Sequence, residues 1–157
     1  MPRQPRSALP DGIYHVTARG VGQAAIFLDD LDRVAFMHLL RKTFRKFTWA
    51  CHVYCLMTNH YHLVVETKTP LLSAGMQRLN GIYAQQFNDR TERVGHVFES
   101  RFSSRLVEQE THFCEHVHLR PGQSCARWDL RSGGRLALEW LARRLARGEN
   151  RRPRGDR

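Results

Sequence analysis

The chain has 157 residues, with 25 Lys or Arg against 15 Asp or Glu, for a formal charge of +10. Its 41% hydrophobic content, spread along most of the sequence, is enough for one domain with a packed core and argues against disorder. No apolar run approaches the roughly 18 residues a spanning helix needs, and nothing after Met1 reads as a secretion signal, which excludes a membrane protein and leads us to expect a cytoplasmic one.

Residues 13–18 alternate as a first strand, closed by the turn chemistry of Arg19-Gly20-Val21-Gly22. A helix is predicted over 29–47. Asp29, Asp30 and Asp32 sit at its start, where exposed N–H groups favour acids. Arg41, Lys42, Arg45 and Lys46 sit at its end, and Phe36, Leu40, Phe44 and Phe47 form its apolar stripe. Residues 49–57 and 60–67 predict two antiparallel strands joined by a tight turn at Thr58-Asn59. Thr69-Pro70 predicts an N-cap and a first helical position, and Leu72, Met76, Leu79, Tyr83 and Phe87 the stripe of a second helix. Gly75 and Gly81 inside that helix imply close packing or a nearby ligand.

A last strand is predicted over 97–107, with Phe98, Phe102 and Leu106 on one face and Arg101 and Arg105 on the other. A short helix over 108–119 is ended by Arg120-Pro121-Gly122; a further helix is predicted over 135–147 and a basic, disordered tail over 151–157. The order β-α-β-β-α-β-α predicts an α+β, ferredoxin-like split βαβ fold, an antiparallel sheet with helices on one face. Residues 8–121 are expected to form that domain, and 122–157 a basic helical extension with an Arg-rich tail.

The cations are 22 Arg and 3 Lys. Coding bias on a solvated surface gives such a composition, and so does a polyanionic partner whose phosphates match guanidinium forks. Cys51, Cys55, Cys114 and Cys125 form no CxxC pair, so reduced thiols are expected, with Cys51 and Cys55 on one strand face as small apolar residues.

The sharpest local feature is Asn59-His60-Tyr61-His62-Leu63-Val64-Val65. On a strand, His60 and His62 point to one face, and Tyr61, Leu63 and Val65 to the other, where helices would pack. Two imidazoles about 7 Å apart on a helix-free face suit one divalent cation; the plain alternative is a pair of ordinary surface histidines.

With Tyr14-His15-Val16-Thr17-Ala18-Arg19-Gly20, Met57-Thr58-Asn59-His60-Tyr61-His62, the stretch from Leu79 to Asn88, and Gly95-His96-Val97-Phe98-Glu99-Ser100-Arg101-Phe102, the chain resembles the single-tyrosine HUH transposases. Within them it is most similar to the REP-associated tyrosine transposases, over about residues 12–121. The resemblance implies that His60 and His62 hold Mg²⁺ or Mn²⁺ against a scissile phosphate, the metal stabilising the developing oxyanion. It implies a tyrosine that attacks phosphorus, leaving a 5′-phosphotyrosine link and a free 3′-OH. The implied substrate is single-stranded DNA beside an imperfect hairpin, with Arg19, Arg101 and Arg105 as phosphate contacts.

The family's nucleophile stretch, Tyr-Ile-x-x-Asn-Pro, reads His116-Val117-His118-Leu119-Arg120-Pro121 here. His116 thus stands at the tyrosine position. Arg120 stands where related proteins place a third metal ligand, and arginine cannot ligate a metal. Tyr83 is the fallback nucleophile, although its place in an apolar stripe favours the core. Two readings follow: a strand-nicking transposase, or a DNA-binding remnant with no covalent step. His112-Phe113-Cys114-Glu115-His116 also fits the zinc-peptidase pattern H-x-x-E-H, but such an enzyme needs a larger domain and a distant third ligand. A milder possibility joins His112 or His116 to His60 and His62 at one metal. Monomer and homodimer are both open.

Overall fold

A computed structural model describes residues 9–107 and 124–127. The expected helices over 108–119 and 135–147, the tail, and with them His112, His116 and Arg120, lie outside the described residues.

Strand β1 (Gly12–Arg19) sends Tyr14, Val16 and Ala18 into the core and leaves His15, Thr17 and Arg19 on the opposite face. A short 3₁₀ turn, Val21–Gln23, leads to helix α1 (Asp30–Phe47). Asp29 caps α1 by accepting the Asp32 N–H at 3.1 Å, as acids at a helix start should. Strand β2 (Ala50–Leu56) and strand β3 (His60–Thr67) follow as the expected hairpin, then helix α2 (Leu72–Thr91), strand β4 (Ser103–Leu106) and strand β5 (Ser124–Arg127). The sheet order is β4-β1-β3-β2-β5, with every neighbouring pair antiparallel. Its first four strands have the split βαβ order expected from the sequence. Ser124–Arg127 adds an edge strand beside β2.

The core lies between the sheet and the two helices. Phe36, Leu40 and Phe44 of α1 and Leu72, Met76, Leu79, Tyr83 and Phe87 of α2 are buried in it, as their spacing predicts. Phe27, Phe36, Tyr61 and Tyr83 form a chain of aromatic contacts with centroids 4.9–5.5 Å apart. The two helices are also tied at their ends. Arg90 near the end of α2 reaches Asp29 at 3.0 Å and Asp32 at 2.6 Å at the start of α1.

Four local expectations need correction. Helix α2 begins two residues after Pro70, with Leu71 at its N-cap and no side-chain cap. The Leu71 N–H turns back to Thr69 O at 2.7 Å, so Thr69 closes a turn instead of capping the helix. Strand β4 covers only Ser103–Leu106, so Arg101 precedes it and does not alternate with Arg105 along one strand. Residues 97–99 instead clamp the end of β1: Val21 N–H donates to Val97 O and Glu99 N–H to Arg19 O. The register of β2 on β3 shifts between Cys51 and Val53, which leaves His52 as an extra residue. Cys51 consequently joins the core, while Cys55 sits opposite His62 on the other face, so the two cysteines do not share a face. Finally, Cys51 is a free thiol but Cys55 is disulfide-bonded, against the expectation of reduced thiols; backbone pairing sets Cys125 opposite Cys55.

Candidate functional site

The site is built on the face of β1 and β3 turned away from α1 and α2. Tyr61 is fully buried and donates its hydroxyl to Asn80 Oδ1 at 2.7 Å, which anchors the middle of the His-Tyr-His stretch on the helical side. Strand alternation then leaves His60 and His62 on the other side, half-buried, with centroids 5.0 Å apart and planes at 83°. The two rings neither diverge nor disappear beneath the helices.

The turn before His60 is held from three directions. Met57 N–H donates to His60 O at 2.9 Å, Thr58 O accepts the Ile26 and Phe27 N–H groups at 2.8 and 3.1 Å, and Asn59 O accepts Gly20 N–H at 2.8 Å. Gly20 is required there because a Cβ would stand 2.1 Å from Ala24 O. The Asn59 side chain donates to Gln23 O at 3.3 Å and sets its Oδ1 2.6 Å from His60 Nδ1.

A third imidazole belongs to this group. His15 Nε2 lies 3.0 Å from His62 Nδ1, and the two rings, with centroids 5.2 Å apart and planes at 12°, meet edge to edge in nearly one plane. His15 pairs with Val64 in the β1–β3 ladder, which makes it a diagonal neighbour of His62. The signal for it in the sequence is the alternation of β1, but only the register of β1 on β3 turns that alternation into a contact. Arg19 lies directly across from His60, and Arg105 directly across from His15. Arg101 is exposed in the segment before β4 and is not brought onto the sheet.

Burial lowers the pKa of all three histidines. For His15 the Arg105 cation adds to the effect, and for His60 the Arg19 cation does. His62 is pushed down to about 4 by burial and by its two histidine neighbours. All three rings are therefore neutral near pH 7, the form in which imidazole offers a lone pair to a metal. Among the described residues there is no group of three or more His, Cys, Asp or Glu set to hold a metal ion. The donor set of His60 and His62 fits a cation that takes its remaining ligands from elsewhere.

Tyr83 is on the wrong side of the sheet for a nucleophile. It is buried in the core, its hydroxyl donates to Ile26 O at 2.5 Å, and burial holds its pKa far above that of a free phenol.

The sequence matches the model of the family described as "Transposase IS200 like" over residues 9–119. The chain belongs to the IS200-like transposase family. No curated protein matches it. Among solved structures, the IS200-like chain is similar to a REP-associated tyrosine transposase bound to a REP hairpin, at 16% identity and a TM-score of 0.60, over 99% of this chain and 93% of that one. It is also similar to a protein from Deinococcus radiodurans R1 described as a transposase, at 14% identity and a TM-score of 0.52, over 70% of this chain and 89% of that one. Both likenesses are of fold. No helix among the described residues is long and apolar enough to cross a membrane.

Proposed function

We propose that this IS200-like transposase binds single-stranded DNA beside a hairpin and sets a backbone phosphate against His60 and His62. The observation that carries the reading is the pair of neutral imidazoles on the helix-free face, with Arg19 and Arg105 on either side of the histidine group. The hairpin bound by the similar REP-associated transposase supports the class of partner. His60 and His62 would hold a divalent cation, Mg²⁺ or Mn²⁺. When bound, it withdraws charge from the phosphate and favours displacement at phosphorus. Arg19 and Arg105 attract the phosphodiester and orient it by charge. Tyr61 and Asn80 keep the strand registered so that both histidines stay on the reacting side.

In the first reading His116, at the family's tyrosine position, attacks phosphorus through an imidazole nitrogen, forming a P–N bond to the 5′-phosphate as the P–O3′ bond breaks and the 3′-oxygen leaves as a hydroxyl. The second reading keeps DNA binding and drops the covalent step. It is favoured by the joint replacement of the family's Tyr and Asn by His116 and Arg120. Incubating the protein with hairpin oligonucleotides and Mn²⁺, followed by a denaturing gel, separates them. A covalent adduct that disappears in His116→Ala and His60→Ala supports cleavage. Hairpin binding with no adduct across many oligonucleotides supports the second reading, and no binding at all sinks both.

A further inference from the structure

We infer that Asn59 and His15 are the positioning residues of the His60–His62 pair, each occupying Nδ1 of one ring so that the two Nε2 atoms form the ligating edge. This rests on the reading that the pair binds a cation. A ligating histidine uses one ring nitrogen while an outer partner holds the other, fixing the tautomer and the direction of the ring.

For His60 the direction of the bond is settled by the amide. Asn59 Nδ2 points to Gln23 O, 3.3 Å away, so Oδ1 is the end turned to His60 Nδ1 at 2.6 Å. An amide oxygen only accepts. His60 Nδ1 therefore carries the proton, and the lone pair of the neutral ring sits on Nε2. Asn59 is itself fixed through its backbone, because its carbonyl accepts Gly20 N–H at 2.8 Å. The chain Gln23–Asn59–His60 thus transmits the position of the Gly20–Gln23 turn to the ring.

For His62 the partner is His15, whose Nε2 lies 3.0 Å from Nδ1. Either ring can carry the shared proton in the metal-free protein. A cation on His62 Nε2 forces the proton onto Nδ1, and His15 Nε2 then accepts it. His15 comes from β1, so the ligating edge is assembled from two strands although both ligands stand on one.

Long-range proton–nitrogen correlation spectra of the metal-free protein, followed by a Mn²⁺ titration read by paramagnetic resonance, test this. The expected results are an Nδ1–H tautomer for His60, a mixture in Asn59→Ala, and recovery in Asn59→Asp, whose carboxylate also accepts. Mn²⁺ affinity should fall about 10–100-fold in Asn59→Ala and in His15→Phe, with partial recovery in His15→Gln. A proton on Nε2 of His60 in the unaltered protein, or unchanged affinity in both variants, overturns the inference. If the tautomers behave as expected but no cation binds the unaltered protein, the positioning by Asn59 stands and the metal reading falls.

Discussion

Gly75 has no room for a side chain. A Cβ there would stand 2.1 Å from the Trp49 ring, and the ring cannot withdraw without disturbing its contacts with Phe44 and Phe47. Gly75→Ala should cost about 1–3 kcal/mol of stability. Gly81 lies on the same helix, yet a Cβ there meets nothing within 4 Å. Gly81→Ala should stabilise by about 0.5–1 kcal/mol through helix propensity. Urea denaturation of both variants checks the pair, and the prediction is a difference in sign. Arg90 offers a second test among single residues. It partners the carboxylate of Asp32, which is 3% exposed and otherwise accepts the Leu28 N–H at 2.8 Å. Arg90 is itself 39% exposed, so solvent screens part of the interaction. Arg90→Ala should therefore lose about 1–3 kcal/mol, below the usual cost of breaking a fully buried pair. Arg78→Ala, on an exposed part of the same helix, should stay within about 0.5 kcal/mol of the unaltered protein by the same measurement.

At the scale of elements, periodicity in the sequence was enough to find both described helices, the hairpin and the face that carries His60 and His62. These features are local: a stripe every three or four residues, or alternation around a Thr-Asn turn. What periodicity could not show depends on pairing between distant segments. The extra residue at His52 inverts the alternation of β2, and nothing in the order of Cys51, His52, Val53 marks it. Strand β4 is shorter than its pattern because its pairing with β1 slips by two residues between Thr17–Ser103 and Gly20–Phe98, so residues 97–99 meet the end of β1 out of register with β4. The place of His15 beside His62 is hidden from periodicity for the same reason, since only the β1–β3 register sets it diagonally to His62. That cluster has a consequence for pH. His15, His60 and His62 all have folded-state pKa values below their unfolded value, His62 at about 4. Between pH 6.5 and about 4 the unfolded chain binds more protons than the folded one, so this contribution to stability is present above pH 6.5 and lost as pH falls through that window. Urea midpoints measured in chelator from pH 7.5 to 4.5 should fall, and His62→Gln should fall less steeply than the unaltered protein. Equal slopes would mean that His62 contributes nothing to the acid limit.

At the scale of the whole molecule, the +10 charge is the property that the DNA reading must account for. Each phosphate neutralised on single-stranded DNA releases counterion, giving a slope of about −0.7 per contact in log affinity against log salt. Arg19 and Arg105 at the histidine group and Arg151, Arg152, Arg154 and Arg157 near the end of the sequence are six candidate contacts. If all six engage, the slope is about −4, a loss on the order of 100-fold between 50 and 200 mM salt. Removing residues 148–157 takes away four of these arginines and should make the slope shallower by about 3. Arg19→Ala with Arg105→Ala should change it by only about 1 while removing charge beside His60 and His15, so cleavage, where it occurs, should suffer more than binding. Hairpin binding measured by fluorescence anisotropy across that salt range distinguishes the two sets. A flat response in the unaltered protein would assign the arginine excess to a solvated surface and leave the nucleic-acid reading on the imidazole group and the likeness to the hairpin-bound transposase alone.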